Sequence, residues 1–321
     1  MRHHLPPPFG TLRSVVPIQQ AQKRGPWRLT LVSLEIWDNC WAANLDIDRD
    51  PFGSEEDDVS PFLTLDAFGE GAQGYVSGFG GAYGGGRLDG GQQHRQLVPF
   101  SPAIDPASES VRLEARLQLR RTATGTGSRA MSLDDPPDWE DPEPWVFAVP
   151  RTGANGQSSA KPSTSSRPSQ EDSFTPRLPY ELGNLLWVVP VVAEQTAGDW
   201  TVTIISAEVR ARGVLLNYRL LGPNQRNLRE RMTTPHLRFA DERNHEIPSL
   251  AGGGSGIPDP RGQHWRGDYH AAVPPGTHNL RIRADEIHLE TIEEDPDNPG
   301  MARLVATERI PFGWEISIPL R

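Results

Sequence analysis

Cysteine is nearly absent. Cys40 stands alone in 321 residues, so no disulfide can form within the chain and folding does not depend on an oxidising compartment. Basic residues are outnumbered: 32 Lys and Arg face 42 Asp and Glu, a formal charge of −10. No cationic excess is available to displace counterions from phosphates, which excludes a nucleic-acid binder. Arg226, Arg229 and Arg231 read as a solvated face. Long apolar runs are missing too. The longest, Leu185 to Ala193, contains Pro190 and is far too short to cross a bilayer, so no membrane insertion is expected. The amino terminus, Met1-Arg2-His3-His4-Leu5-Pro6-Pro7-Pro8, has no apolar signal-peptide stretch. That favours the cytoplasm or signal-independent export.

Helical periodicity is also lacking. Trp41, Ala43, Leu45 and Ile47 alternate with their neighbours, as do Val111, Leu113, Ala115, Leu117 and Leu119 with Arg112, Glu114, Arg116, Gln118 and Arg120. A period of two, with one apolar and one polar face, marks antiparallel sheet over a core. Gly and Pro, 31 each, supply the turns.

What the chain does have is an internal duplication. Leu5-Pro-Pro-Pro-Phe-Gly-Thr-Leu-Arg-Ser-Val-Val-Pro-Ile18 aligns with Leu178-Pro-Tyr-Glu-Leu-Gly-Asn-Leu-Leu-Trp-Val-Val-Pro-Val191. The offset is 173, and it carries Gly25, Trp27, Thr30, Ser33, Glu35 and Asn44 onto Gly198, Trp200, Thr203, Ser206, Glu208 and Asn217. A second fixed offset, 169, brings Ile104, Val111 and Leu113 onto Val273, Leu280 and Ile282, and Trp145-x-Phe-x-Val-Pro150 onto Trp314-x-Ile-x-Ile-Pro319. Two constant registers separated by one indel region are the trace of a duplication. Both copies change phase at the same place: Leu29 and Leu31 share one parity and Leu34 and Ile36 the other, as do Val202 and Ile204 against Ala207 and Val209. This predicts a bulge, or a strand changing sheets, at Val32-Ser33 and Ile205-Ser206.

Each copy offers seven or eight strand candidates with turn signals between them. The pattern resembles that of bacterial immunoglobulin-like β-sandwich modules in tandem. The resemblance implies a fold and not an activity. The expected organisation is all-β: a first sandwich over 5–150, a disordered Ser/Pro-rich linker over 151–176 and a second sandwich over 177–321. A flexible linker of that length holds its ends about 25–30 Å apart.

Candidate sites are few. Asp46, Asp48 and Asp50 have the alternate spacing that turns carboxylates toward a calcium ion, with Asp57 twelfth in the count. Pro51 stands where an EF-hand needs Gly, and the second copy has Arg219 in place of Asp46, so the fold does not require these acids. The competing reading is a solvated acidic loop, and so are the acids at Asp134–Asp141 and Glu293–Asp297. The segment Gly69–Gly86 satisfies G-x-G-x-x-G at its start, but glycines this dense cannot open the helix a dinucleotide site needs. With Ala251–Gly256 it reads as a flexible hairpin connection common to both copies. Tyr75, Phe79 and Tyr83 lie in the first of these segments. They suit either a recognition surface or rings tucked over the sheet. No pair of the second copy's histidines (His236, His245, His264, His270, His278, His288) has zinc-like spacing. Trp27, Trp200, Trp145 and Trp314 read as core, whereas the unrepeated Trp37, Trp41, Trp139, Trp187 and Trp265 are candidates for exposed contacts.

With no catalytic signature, the expected function is non-enzymatic: a scaffold, assembly or adhesion-like component that contacts a protein partner through loops or sheet edges. Two alternatives stand beside it. One is a calcium-modulated or carbohydrate-binding module at the Asp46–Asp57 stretch. The other is a hydrolase with a site in the second copy around His264 and His270. The partner and the oligomeric state are not legible.

Overall fold

The computed structural model describes residues 9–49, 59–70, 74–77, 81–88, 91–104, 108, 110–121, 139–150, 182–223, 231–259, 262–294 and 302–320. Two compact units divide the chain, Met1–Ser158 and Ser159–Arg321. The expected linker, 151–176, lies outside the described residues. Among those residues every regular element of any length is a strand, and no helix is long and apolar enough to cross a membrane.

The first unit has ten strands among its described residues, more than expected. They are β1 (Leu12–Arg24), β2 (Trp27–Trp37), β3 (Trp41–Arg49), β4 (Val59–Phe68), β5 (Gly74–Ser77), β6 (Gly81–Leu88), β7 (Gly91–Ser101), β8 (Ser110–Arg121), β9 (Trp139–Glu140) and β10 (Trp145–Pro150). The second has β11 (Leu185–Ala197), β12 (Trp200–Arg210), β13 (Gly213–Gly222), β14 (Arg231–Ala240), β15 (Glu246–Ile247), β16 (Ser249–Asp259), β17 (Gly262–Ala271), β18 (Asn279–Glu294) and β19 (Ala302–Pro319). All pairings are antiparallel, as the alternation predicts. Each copy opens on a tight hairpin whose turn needs a left-handed residue. Gly25 (φ 54°) and Gly198 (φ 59°) supply it without steric cost.

The sheets connect differently in the two units. In the first, one ten-stranded sheet runs β1-β2-β3-β7-β5-β4-β8-β10, with β6 on β7 and β9 on β8. The short strand β5 joins its halves by pairing with β4 through Tyr75 and with β7 through Val76. In the second, the same path is cut into a five-stranded sheet (β11-β12-β13-β17-β16) and a four-stranded sheet (β15-β14-β18-β19). Pro248 falls between β15 and β16 where the first unit has Val76. It has no N–H to give to a ladder, and only its carbonyl is used, by Ala272 N at 3.3 Å.

The free edges differ for a related reason. In the first unit long side chains of β1 reach the backbone at β10 and just before it: Gln20 Nε2 donates to Ala148 O (3.1 Å), Gln22 Nε2 to Val146 O (2.6 Å), and Arg24 to the carbonyls of Glu143 (2.7 Å) and Pro144 (2.9 Å). The sheet is thereby clipped back toward itself. At offset 173 the second unit has Ala193, Gln195 and Ala197, and Gln195 donates instead to Thr196 O.

The inward faces carry the cores. Leu29, Leu31, Trp41, Leu45, Leu65, Leu113, Trp145 and Phe147 are among the buried residues of the first, and Val202, Ile204, Leu216, Tyr218, Phe239, Ile282, Ile287 and Ile318 of the second. The predicted phase change is a bulge in both copies, between Leu31 and Ser33 and between Ile204 and Ser206. A second matched irregularity separates Pro17 from Gln20 and Pro190 from Ala193, with Gln19 (φ 57°) and Val192 (φ 50°) left-handed at corresponding positions.

Some expectations are corrected. Trp37 and Trp41 are fully buried, not exposed contacts, and Trp187 packs against the second core; Trp139 is exposed as expected. The glycine-dense segments are not mere connections. Residues 81–86 lie in β6 on β7, and 251–256 in β16 on β17. Backbone pairing with a neighbouring strand holds such a segment with little help from side chains.

Tyr269 gives the second core a pH signature. Its ring packs near Tyr218 and Phe239, its hydroxyl donates to Pro235 O, and burial pushes its pKa from 10.0 to about 12. A pKa raised on folding contributes stability that is complete below the unfolded value and is lost as pH rises through the folded one. Stability therefore falls between about pH 10 and 12, by about 2–3 kcal/mol from this group. Urea unfolding across that range checks it: Tyr269→Phe is expected to flatten the fall, and an unchanged slope refutes the assignment.

Candidate functional site

The bulge shared by the two copies organises a buried polar cluster on the face of β2 and β3 opposite the core. Asn44 Nδ2 donates to Ser33 Oγ (3.0 Å) and Glu35 Oε1 (2.8 Å). In the second copy Asn217 Nδ2 donates to Ser206 Oγ and Glu208 Oε1 at the same two distances. All six residues are buried. Asn spends both amide hydrogens there, so the cluster ties the bulged strand to its neighbour. In the second copy Arg210 Nη2 adds a 3.0 Å ion pair to Glu208 Oε2, and both side chains are buried. At offset 173 the first copy has Trp37 instead. The three residue types are visible in the sequence as repeated positions. Their convergence depends on the bulge bringing Ser and Glu, two apart, beside one Asn.

The anticipated calcium residues divide. Asp46 and Asp48 sit on β3 and not in a loop. Asp46 is buried, and Arg95 from β7 lies 3.8 Å from its carboxylate. Asp50 and Asp57 lie outside the described residues. The second copy exchanges the signs: Arg219 replaces Asp46 and lies 3.8 Å from Glu194 of β11.

Of the anticipated aromatic surface, Tyr75 takes the tucked-in arrangement, edge-on to Trp41 with centroids 5.3 Å apart. Phe79 and the side chain of Tyr83 lie outside the described residues. Asp141 is not the solvated acid expected of its loop. It accepts from Trp145 Nε1 (2.9 Å) and Glu143 N (3.1 Å), and Arg24 lies 3.5 Å away. His270, named for the hydrolase alternative, has Nε2 3.1 Å from Asp268 Oδ2, and no Ser, Thr or Cys bonds to it among the described residues. The His264 side chain lies outside them.

The second unit also holds a cluster that spacing of histidines alone misses. His236 of β14 pairs across the ladder with Glu286 of β18, and His288 follows two residues later on the same strand and face. His288 Nε2 lies 2.7 Å from Glu286 Oε1, and His236 Nδ1 lies 3.9 Å from the same oxygen. The imidazoles stack at 5.0 Å, 11° from parallel. The hydrogen bond from His288, helped by Arg309 at 3.7 Å, lowers the Glu286 pKa. Desolvation, the charge of His288 and that of Arg238 lower the His236 pKa. Among the described residues these three have donor atoms all within 4.8 Å of one another, a set that could hold a metal ion. The signal available in the sequence was a change of parity on β18, from Leu280, Ile282 and Ala284 to Ile287 and Leu289, which sends Glu286 and His288 to the outer face.

No family model and no curated protein matches the chain. It is similar over 96% of its length, and 92% of the other chain, to a solved structure described as the conserved domain protein from Bacillus anthracis, at 9% identity and a TM-score of 0.34.

Proposed function

We propose that the protein is a non-enzymatic binding or scaffold component, built of two immunoglobulin-like modules in tandem, which takes an extended segment of a protein partner by strand addition. The observation that carries this reading is β19. It is the terminal strand of its sheet, runs Ala302–Pro319, and its residues from Leu304 to Arg309 are exposed in succession. Leu304 is 56% and Val305 39% exposed, so apolar side chains flank the open edge. An end strand presents a row of N–H and C=O groups that another strand can complete. Over the exposed stretch Leu304–Arg309, main-chain bonds can supply affinity while alternate side chains supply selectivity. Tyr75 belongs to the core and is not counted among the contact residues.

Charging the edge tests the assignment. The intact chain and the double variant Leu304→Lys/Val305→Lys, both immobilised, are compared for the proteins they retain from the source cell. The variant is expected to lose the retained partner, because charge on an edge strand opposes pairing. Identical sets of retained proteins sink the proposal.

A further inference from the structure

We propose that His236, Glu286 and His288 form a binding site for a divalent transition metal, zinc by preference, on the outward face of the four-stranded sheet of the second unit. Two imidazoles and a carboxylate are a donor set suited to such ions. Calcium and magnesium favour all-oxygen sets instead.

The backbone is built to bring these donors together. β18 carries one extra residue at Asp285, where the ladder slips between Ala284 and Glu286 opposite the His236–Leu237 step of β14. Beyond the slip Ile287 and Leu289 enter the core, while Glu286 and His288 face out beside His236. The first unit makes the corresponding ladder, β4 with β8, without a slip. At the matching places it has Thr64, Arg116 and Gln118. The fold can therefore be made without the bulge and without the three ligands. An inserted residue that re-aims side chains is a common device beside functional sites.

The side chains are placed to close on an ion. His236 Nδ1 is shielded from solvent and has no hydrogen-bond partner among the described residues, although it faces the Glu286 oxygen that His288 already holds. Around a tetrahedral zinc, ligands at about 2.0–2.1 Å stand roughly 3.3 Å apart. Donor atoms already within 4.8 Å need small rotations to reach that spacing. The ion would replace the His288–Glu286 hydrogen bond and the Arg309 contact with Glu286. Arg309 is 69% exposed and free to swing into water. Three protein ligands on a partly open face leave the fourth position to water, the arrangement of an open rather than a closed zinc site. The proposal does not depend on strand addition at β19.

The test uses the metal-free full chain. Zinc titration calorimetry is expected to give one saturable site per chain, and cobalt the visible absorption bands of a tetrahedral nitrogen–oxygen site. His236→Ala, Glu286→Gln and His288→Ala should each weaken zinc binding by at least about 100-fold, since even outer-shell changes cost 10–100-fold. They should also abolish the cobalt bands. These side chains face outward, so metal-free unfolding midpoints should stay near that of the parent chain. Exposed His245, paired with Asp241, and the sequential His3 and His4 are the controls. His245→Ala and the double variant His3→Ala/His4→Ala should bind zinc as the parent does. The proposal is overturned if the parent shows no stoichiometric site, if the His3/His4 variant removes it, or if the cluster variants bind like the parent.

Discussion

Arg210→Met is expected to destabilise the protein by about 3–5 kcal/mol, because it strips the cation from a buried carboxylate. Glu208 is fully withdrawn from solvent. Its Oε1 accepts from Asn217, and its Oε2 pairs with Arg210 at 3.0 Å. Methionine fills much of the arginine stem's volume, so the loss reports on charge more than on packing. The second arm of the experiment decides this. If the uncompensated carboxylate is the cause, Glu208→Gln/Arg210→Met should recover at least about half of the loss, since taking away both charges removes the desolvation penalty. Urea unfolding of the parent, the single and the double variants measures all terms. An Arg210→Met chain within about 1 kcal/mol of the parent would show that Glu208 is satisfied without its cation.

The paired clusters explain which parts of the duplication persist. Ser, Glu and Asn recur with the same bonds because any one of them left alone would be a buried polar group without its partner. The ionic surroundings have diverged. Glu208 has Arg210 where the first copy has Trp37, and the Asp46–Arg95 pair is answered by Arg219 and Glu194 with reversed sign and a different strand of origin. Charge pairs can be exchanged as units. A bulge that aims three polar side chains at one point cannot be altered piecemeal.

Much of the fold could be read from the chain because it depends on local periods. Strand type, the antiparallel sense and the bulge after Leu31 and Ile204 follow from parity alone. What could not be read depends on contacts distant in sequence. Val76 gives no sign that it joins the halves of a sheet, and Pro248, although it cannot donate to a ladder, gives no sign of which strands it parts. The Gln20, Gln22 and Arg24 clips work only because β10 arrives alongside β1, more than a hundred residues later. The histidine site was hidden for a related reason. Glu286 and His288 become neighbours of His236 only through the β14–β18 ladder, and the one clue, the parity change at Asp285, looks like an ordinary irregularity. Treating an unrepeated tryptophan as a surface residue held at Trp139 but failed at Trp37 and Trp41, because the copies conserve the filling of the core and not the identity of each ring.

Trp41→Ala shows how much rests on that filling: it is expected to cost about 3–5 kcal/mol, the range for removing a large aromatic from a closed core. Trp41 is fully buried, stacked on Phe100 at 4.3 Å and met edge-on by Tyr75 at 5.3 Å. The ladders place Val214, Ala271 and Ile247 of the second copy at these three positions. The lost volume reappears nearby. Tyr218, Tyr269 and Phe239 stand where the first copy has Leu45, Val98 and Ala67. Aromatic mass has moved across the core while its total has been kept, as close packing requires. Two comparisons separate this account from a general fragility of the chain. Trp41→Phe should retain much of the stability, and Trp139→Ala, at an exposed position, should change it by no more than about 0.5 kcal/mol. If Trp41→Ala instead falls within about 1 kcal/mol of the parent in urea unfolding, the three-ring cluster does not carry the first core, and its packing must rest on the aliphatic residues around it.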